Sequence, residues 1–465
     1  ILFPLVIATI PAGAWSRSVS LAALAVILLV DGTSAWRSVF MRPAPADEQA
    51  IAQTLAVQPL PGRVVPLTFP DVTSADIYFT SVIGSRSNVS GWSLENTSQQ
   101  NSVRRLLDSA QHAPDYLQRV LSLWNTDYVL ARFADPQQSA ALRTTLQFDS
   151  TAQHGDLALW QRAQPSAFAQ QLTDHRVLVI GNNTTAWLYA FPTASEGYSP
   201  NPADYSADYL SHFSVIGLNR ITGGGSLEPA LGDWVRQGNT LIVDLSGLGQ
   251  LYNQGVTLFG VRTAAMNLTG DYALNWPSAL AGLPDQLTFG SLDTPWVGAT
   301  YFNLDHTLAT ISVRGQSYPL LGYQDVGKGK AWFISFNLLY LLNQQDRQVI
   351  ATRLSDYLLA QTDATRALTL PPADVTVTAR QPAHVTLTYA SPKAFSLVLS
   401  MTYFPRWQAS LDGVPIVLHN HEHLILLDVP DGTHTITLDY VPLSTPIARL
   451  GLLVSLLCIA LTFGV

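Results

Sequence analysis

Long apolar runs lie at both ends of the chain. Residues 1–12 and 19–30 are almost continuously apolar, and a third run occupies 450–465. A helix needs about 20 apolar residues to cross a bilayer core. We therefore predict a transmembrane hairpin over residues 1–36, whose first helix is truncated, and a truncated transmembrane helix over residues 446–465. A signal-peptide core is an alternative interpretation of residues 19–30.

The region after the first two apolar runs contains short strand patterns and one helical pattern. Strand-like runs occur at 63–67 and 157–160. Apolar residues recur with helical spacing between residues 103 and 124. We therefore predict an α+β region over residues 43–165.

Apolar strands alternate with helices farther along the chain. The strand patterns lie at 176–181, 214–218, 240–245 and 330–335. Helical patterns at 227–237 and 344–361 follow the second and fourth of these strands. Apolar strands in such an alternation are typical of a parallel sheet covered on both faces. We therefore predict a parallel-sheet α/β domain over residues 175–362.

The last polar-surfaced region shows the two-residue alternation of antiparallel strands. The alternating runs lie at 375–378, 385–388 and 433–440. The pairs Asp412-Gly413 and Asp431-Gly432 are typical of hairpin turns. We therefore predict a small antiparallel β-sandwich over residues 370–443.

Composition narrows the range of functions. The 465 residues carry a formal net charge of −8, which offers no basic surface to nucleic acid. The single cysteine, Cys458, excludes a disulfide within the chain and a cysteine-rich metal site. The glycine run 223–225 lacks the Lys-Ser/Thr pair of a phosphate-binding loop. We therefore predict no cofactor.

The segment His419-Asn420-His421-Glu422-His423 contains residue types that commonly bind metal ions. On a continuous strand its three histidines would share one face, and three imidazoles can hold Zn²⁺. The segment lies between two predicted strands, however, and Asn420 is a typical turn residue. We therefore favour a solvated turn and predict no metal site.

Four motifs near the end of the chain resemble the juxtamembrane β-domain of bacterial YfhO-like membrane proteins. They are Tyr403–Trp407, Leu411–Ile416, Val429–His434 and Tyr440–Pro442. This group, which includes proteins described as 6-pyruvoyl-tetrahydropterin synthase-related membrane proteins, has a GT-C-like glycosyltransferase architecture. The resemblance implies a polytopic membrane protein that uses a polyprenyl-phosphate sugar.

The same resemblance implies a catalytic acidic residue in an early extracytoplasmic loop. We expect that loop to precede Ile1, and therefore assign no catalytic residue. Asp31 and Asp47 are acidic and lie near the predicted membrane face, but nothing further distinguishes them.

Residues 231–244 and 327–330 resemble parts of a class I glutamine-amidotransferase-like domain. Active members of that fold carry a cysteine nucleophile at a strand–helix elbow, and residues 175–362 contain no cysteine. The nearest analogue is Ser246, for which His306 is the histidine available in the rest of that block. The resemblance therefore implies a degenerate, non-catalytic domain.

Together these patterns predict a mixed membrane and α/β fold class. Truncated transmembrane helices would flank an extracytoplasmic α+β part, a parallel-sheet amidotransferase-like domain and a small antiparallel β-sandwich. Arg17 favours a cytoplasmic position for the short loop around it, so the large insert would lie outside the cytoplasm at the cell membrane.

The predicted function is that of the extracytoplasmic region of a polytopic membrane glycosyltransferase-like protein. It would act with polyprenyl-phosphate sugars in envelope glycan assembly. The alternative is a non-enzymatic, membrane-anchored binding or scaffold module for glycans or envelope partners. The expected partners are the lipid bilayer, a polyprenyl-phosphate sugar and an envelope glycan, with no nucleic acid.

Overall fold

The part of the chain that the structure describes is built mainly from β-strands. This computed structural model describes residues 46–67, 112–132, 140, 143–144, 146–222, 227–244, 257–381 and 383–441. These ranges contain 25 strands and seven α-helices. None of these helices is both long and apolar enough to cross a bilayer. The predicted fold class, with helices flanking α/β domains, is therefore wrong for the described residues. The predicted membrane segments 1–36 and 446–465 lie outside them.

The first unit contains two helices and four strands. Their bounds are α1 Ala46–Ala56, β1 Arg63–Leu67, α2 Pro114–Leu123, β2 Thr126–Arg132, β3 Phe148–His154 and β4 Leu157–Arg162. The strand order is β1-β2-β4-β3, and β1 runs parallel to β2. Successive residues of β2 serve opposite faces of the sheet. Tyr128 and Leu130 join the cluster around α1, whereas Val129 and Ala131 join the cluster that contains α2.

The second unit is built on a nine-stranded sheet. Its helices are α3 Thr185–Ala190, α4 Ala207–Leu210, α5 Leu227–Arg236, α6 Leu338–Gln344 and α7 Gln348–Leu359. The strands in this stretch are β5 Ala169–Leu172, β6 Arg176–Gly181, β7 Ser195–Glu196, β8 Phe213–Asn219, β9 Thr240–Asp244, β10 Thr257–Leu258, β11 Val261–Leu268, β12 Gly270–Asn275, β13 Gln286–Phe289, β14 Trp296–Phe302, β15 His306–Val313, β16 Gln316–Val326 and β17 Gly329–Ile334.

The large sheet is mixed rather than parallel. Its order is β13-β12-β15-β16-β17-β9-β8-β6-β7. The strands from β17 to β7 are parallel neighbours, whereas those from β13 to β17 are antiparallel. The prediction of a parallel-sheet domain over residues 175–362 is therefore wrong. Strands that lie between β9 and β17 in the sequence join the sheet beyond β17 as antiparallel pairs. Strands β10, β11 and β14 form a separate three-stranded sheet.

The parallel strands are apolar because both faces of the sheet are covered. Every residue of β8 is buried. On one face Val215 packs in the cluster that includes α3, and on the other Ile216 packs with the cluster of α5. Gly217 allows α3 to approach closely, since a Cβ at this position would lie 2.5 Å from the Trp187 ring. This packing fixes the edge of the sheet from which the candidate site is built.

The third unit is a sandwich of two sheets. Its strands are β18 Val375–Gln381, β19 His384–Ser391, β20 Phe395–Thr402, β21 Trp407–Leu411, β22 Val414–Ile416, β23 His419–His421, β24 Leu424–Val429 and β25 Gly432–Tyr440. One sheet has the order β18-β19-β25-β21-β22, and the other β23-β24-β20-β5. Leu387, Leu397, Leu427 and Ile436 are fully buried in the core of this unit. Strand β5 precedes the second unit in the chain, so the sandwich is completed by residues outside 370–443.

The two predicted Asp-Gly hairpins have different outcomes. The hairpin at Asp412-Gly413 is confirmed: both residues have positive φ, and the turn joins β21 to β22. The prediction of a hairpin at Asp431-Gly432 is wrong, because the chain passes there from β24 in one sheet to β25 in the other. Gly432 nevertheless has a φ of 113°, which side chains with a Cβ rarely adopt.

Replacing Gly432 by valine is expected to destabilise the protein by about 1–3 kcal/mol. The backbone is strained there, and a Cβ would lie 2.7 Å from Nε2 of His434. Chemical denaturation of the full chain measures the loss. Gly315→Val is the matched control, because Gly315 also has positive φ but has open space at its Cβ position. An unchanged denaturation midpoint for Gly432→Val would contradict the expectation.

Candidate functional site

The serine and histidine considered for a nucleophilic pair do not form a described site. Ser246 and Asp31 lie outside the described residues, and Asp47 is exposed in the first turn of α1. His306 stacks on Tyr323, with ring centroids 4.4 Å apart, and its Nε2 lies 3.1 Å from Oδ2 of Asp325. His306 is therefore engaged at the surface of the antiparallel part of the large sheet.

The histidine-rich segment is partly buried, so its interpretation as a solvated turn is wrong. His419 and His421 lie on β23, and the chain turns at Glu422 and His423, which both have positive φ. Asn420 supports this turn by accepting a hydrogen bond from the His423 backbone N–H. His421 and Glu422 are buried. No group of three possible metal ligands occurs among the described residues.

Burial of this turn creates a polar cluster where the three units meet. We call it the junction cluster and define it as Arg119, Arg176, Ser195, His421 and Glu422. Arg119 comes from α2, Arg176 and Ser195 from β6 and β7, and the last two residues from the sandwich. Arg119 Nη2 donates to Oε1 of Glu422, and the same nitrogen lies 3.3 Å from Oγ of Ser195.

The polar neighbours of His421 define its tautomer. Its Nδ1 lies 3.0 Å from the Tyr209 hydroxyl, and its Nε2 lies 3.4 Å from Oε1 of Glu422. A carboxylate only accepts, so Nε2 carries the proton and Nδ1 accepts from Tyr209. Burial lowers the pKa of His421 to about 4 despite the neighbouring carboxylate, so the imidazole is neutral at pH 7.

Burial and charge act in opposite directions on Glu422. Burial raises the pKa of its carboxyl, but Arg119 and His421 lower it by more, so the pKa lies below its ordinary value. Glu422 is therefore ionised at pH 7. The hydrogen-bonded ion pair that it forms with Arg119 joins the first unit to the sandwich.

A second polar arrangement lies at the open surface between the large sheet and the sandwich. Asp174 Oδ1 lies 2.9 Å from Nδ1 of His212, whose Nε2 lies 3.2 Å from Oγ of Ser396. The Ser396 hydroxyl also lies 2.5 Å from Oδ1 of Asp428. We call this chain of four side chains the relay. Asp174 lies two residues before β6 and His212 directly precedes β8, whereas Ser396 and Asp428 are paired residues of β20 and β24.

The chemistry of the side chains determines the direction of the hydrogen bond between Ser396 and Asp428. Asp428 accepts, so the short contact is a hydrogen bond from the Ser396 hydroxyl. The His212 ring lies between Oδ1 of Asp174 and Oγ of Ser396 and is in hydrogen-bond contact with both. The relay thus holds two carboxylates, Asp174 and Asp428, in fixed positions.

An open groove runs along the relay. It encloses about 500 Å³, within the size range of small-ligand sites. Apolar side chains, including Leu172, Phe395 and Val429, line it together with the relay and Lys393. A second hollow of about 230 Å³ shares His212, Ser396 and Asp428 with it. The side chains of Asp174 and Asp428 are 70% and 60% exposed, so both are available to a ligand.

The relay was not predicted from the sequence. Its members span residues 174 to 428 and share no motif. The signal that could have identified one of them is Asp428, which interrupts the otherwise apolar strand Leu424–Val429. The sequence does not reveal that this residue faces a groove or that its partner is Ser396.

Comparisons with known proteins do not identify the chain. No protein-family model matches it, and no curated protein matches it either. A β-galactosidase from Bacillus circulans sp. alkalophilus matches with 12% identity and a TM-score of 0.25, over 57% of this chain and 42% of the enzyme. The α-L-fucosidase isoenzyme 2 from Paenibacillus thiaminolyticus matches with 14% identity and a TM-score of 0.28, over 59% and 49%.

A cytoplasmic protein from Salmonella typhimurium LT2 matches with 11% identity and a TM-score of 0.28, over 39% of this chain and 98% of that protein. The chain spans less than half the length of the two glycosidases. TM-scores this low do not establish a shared fold, so nothing about these proteins is transferred to this chain.

Proposed function

We propose that the described part of the chain is a ligand-binding module and that the groove along the relay recognises a hydroxyl-rich ligand, an envelope glycan. The observation that carries the proposal is the pair of exposed carboxylates, Asp174 and Asp428, which His212 and Ser396 hold beside an open groove. Preorganised acceptors lose little conformational freedom when they bind a ligand.

The chemistry of the groove suits a sugar. Carboxylate oxygens accept hydrogen bonds from hydroxyl groups, and each carboxylate has a second oxygen beyond the one used in the relay. The partly exposed side chain of Phe395 offers apolar surface to the C–H face of a sugar ring. A volume of about 500 Å³ is sufficient for a short oligosaccharide.

The resemblance to YfhO-like proteins gives this module its proposed setting. In that setting the module lies outside the cytoplasm, anchored at the cell membrane, within a polytopic glycosyltransferase-like protein that uses a polyprenyl-phosphate sugar. In that setting the groove would hold the acceptor or product glycan.

We expect Asp428→Asn to weaken glycan binding by at least about tenfold, because it removes one of the two charged acceptors. Calorimetry with the purified full chain and fragments of envelope polysaccharide measures the affinity. Asp325→Asn is the matched control, since Asp325 is also an exposed carboxylate bonded to a histidine, His306, but lies away from the groove. Equal affinity of wild type and Asp428→Asn, or no binding of any such fragment, would contradict the proposal.

A second candidate function is that of a serine hydrolase, because Asp174, His212 and Ser396 have the hydrogen-bond order of a catalytic triad. Two observations argue against it. The Ser396 hydroxyl donates to Asp428 rather than to His212, and β20 is paired on both sides, with β5 and β24. The backbone N–H groups around Ser396 are therefore used in the sheet instead of forming an oxyanion hole.

A fluorophosphonate probe separates the two functions. The glycan-binding proposal expects no labelling of wild type beyond that of Ser396→Ala. Covalent labelling of Ser396 would instead establish the hydrolase.

A further inference from the structure

A small void lies inside the junction cluster. Arg119, Arg176, Gln170 and Ser195 are among the side chains that line it. The centre of a water-sized sphere can occupy about 10 Å³ of this void, which is room for about one such particle. A phosphate, a sulfate or a carboxylate ligand does not fit.

Two guanidinium groups around this void have unsatisfied N–H groups. Arg119 and Arg176 are only 3% and 1% exposed, yet Arg119 Nη1 and Arg176 Nε have no hydrogen-bond partner among the described residues. Gln170 donates instead to the carbonyl oxygens of Ser122 and Leu123. Buried donors are almost always paired, so these two groups point to a bound species.

The charges of the junction cluster do not balance. Arg119 and Arg176 are cationic, whereas Glu422 supplies one negative charge. His421 is neutral at pH 7, because burial lowers its pKa to about 4. The cluster therefore has a net charge of +1 in a buried site. A buried charge without a counter-charge is costly, and a water molecule does not neutralise it.

We propose that the void binds one monatomic anion, a chloride ion in ordinary salt, which accepts hydrogen bonds from Arg119 Nη1 and Arg176 Nε. The ion completes the charge balance and joins helix α2 of the first unit to strand β6 of the second. Since these donors come together only in the folded chain, halide stabilises the folded state by an amount that grows with the logarithm of its concentration once this exceeds the Kd.

The test compares melting temperatures of the full chain in chloride, bromide and gluconate at a constant ionic strength of about 0.15 M. We expect a melting temperature higher by about 1–3 °C in either halide than in gluconate. Arg176→Met should abolish this difference, because it removes one donor and the excess charge. Arg236→Met is the matched control and should keep the difference, since Arg236 pairs with Asp233 at the surface.

A second measurement uses wild type alone and therefore does not depend on whether Arg176→Met folds. Crystals of the full chain soaked in sodium bromide should show an anomalous bromine peak between Arg119 Nη1 and Arg176 Nε. A water molecule at that position without a bromine peak would overturn the proposal, whatever the melting temperatures. Equal stability of wild type in halide and gluconate would overturn it as well.

Discussion

Replacing Arg119 by methionine is expected to lower the free energy of unfolding by about 3–5 kcal/mol. The substitution leaves Glu422 ionised and buried without its main hydrogen-bond donor. Met retains most of the apolar contact of the Arg side chain, so the loss reports the stranded carboxylate rather than a cavity. Chemical denaturation of the full chain measures the change.

Two further variants distinguish the effect of breaking the buried Arg119–Glu422 pair from the general effect of removing a positive charge. Arg236→Met removes an exposed ion pair with Asp233 and should cost less than about 1 kcal/mol. The double variant Arg119→Met/Glu422→Met replaces both partners by apolar groups and should recover part of the stability, although Arg176 then lacks the charge of Glu422. A loss below about 1 kcal/mol for Arg119→Met alone would show that the junction is not held by this pair.

The strongest signals in the sequence were those of elements buried on both faces. Strands β6, β8, β9 and β17 coincide closely with the predicted apolar runs, because burial on both faces leaves an almost unbroken apolar pattern. The hairpin at Asp412-Gly413 was also predictable, since its turn requires positive φ at two successive residues. Local chemistry alone determines features of this kind.

The architecture was less predictable because it depends on distant pairing. Strand β5 pairs with β20, more than 200 residues away, and no local pattern encodes that contact. The antiparallel strands β12, β13, β15 and β16 extend the large sheet beyond β17, although the α/β rhythm around them in the sequence predicted a parallel domain. A sheet edge can be extended by any strand that reaches it, so the number and direction of its strands do not follow from local patterns.

The candidate site shows the same limit. His421 was singled out from its spacing to His419 and His423, but the chain turns at Glu422 and directs the segment into the junction cluster. Tyr209, which bonds to His421, and Arg119, which bonds to Glu422, come from other units of the fold. The residue types were visible in the sequence, whereas burial and partners, which determine their chemistry, were not.

Acidification from pH 7 to pH 4.5 is expected to destabilise the protein through His421 by about 2–3 kcal/mol. The pKa of His421 is about 4 in the folded state and 6.5 as its ordinary value. Between these values the unfolded chain binds a proton that the folded chain does not. The contribution is therefore fully present above pH 6.5 and is lost progressively as the pH falls towards 4.

The comparison of wild type with His421→Gln isolates this contribution. Glutamine can accept from Tyr209 and donate to Glu422 but does not titrate, so its free energy of unfolding should fall less over the same pH range. His434→Gln is a control of opposite sign: a hydrogen bond from His434 to Asp412 raises the pKa of His434, so its contribution is present below pH 6.5 and is lost as the pH rises. Parallel losses for wild type and His421→Gln between pH 7 and 4.5 would show that His421 is not held neutral in the folded protein.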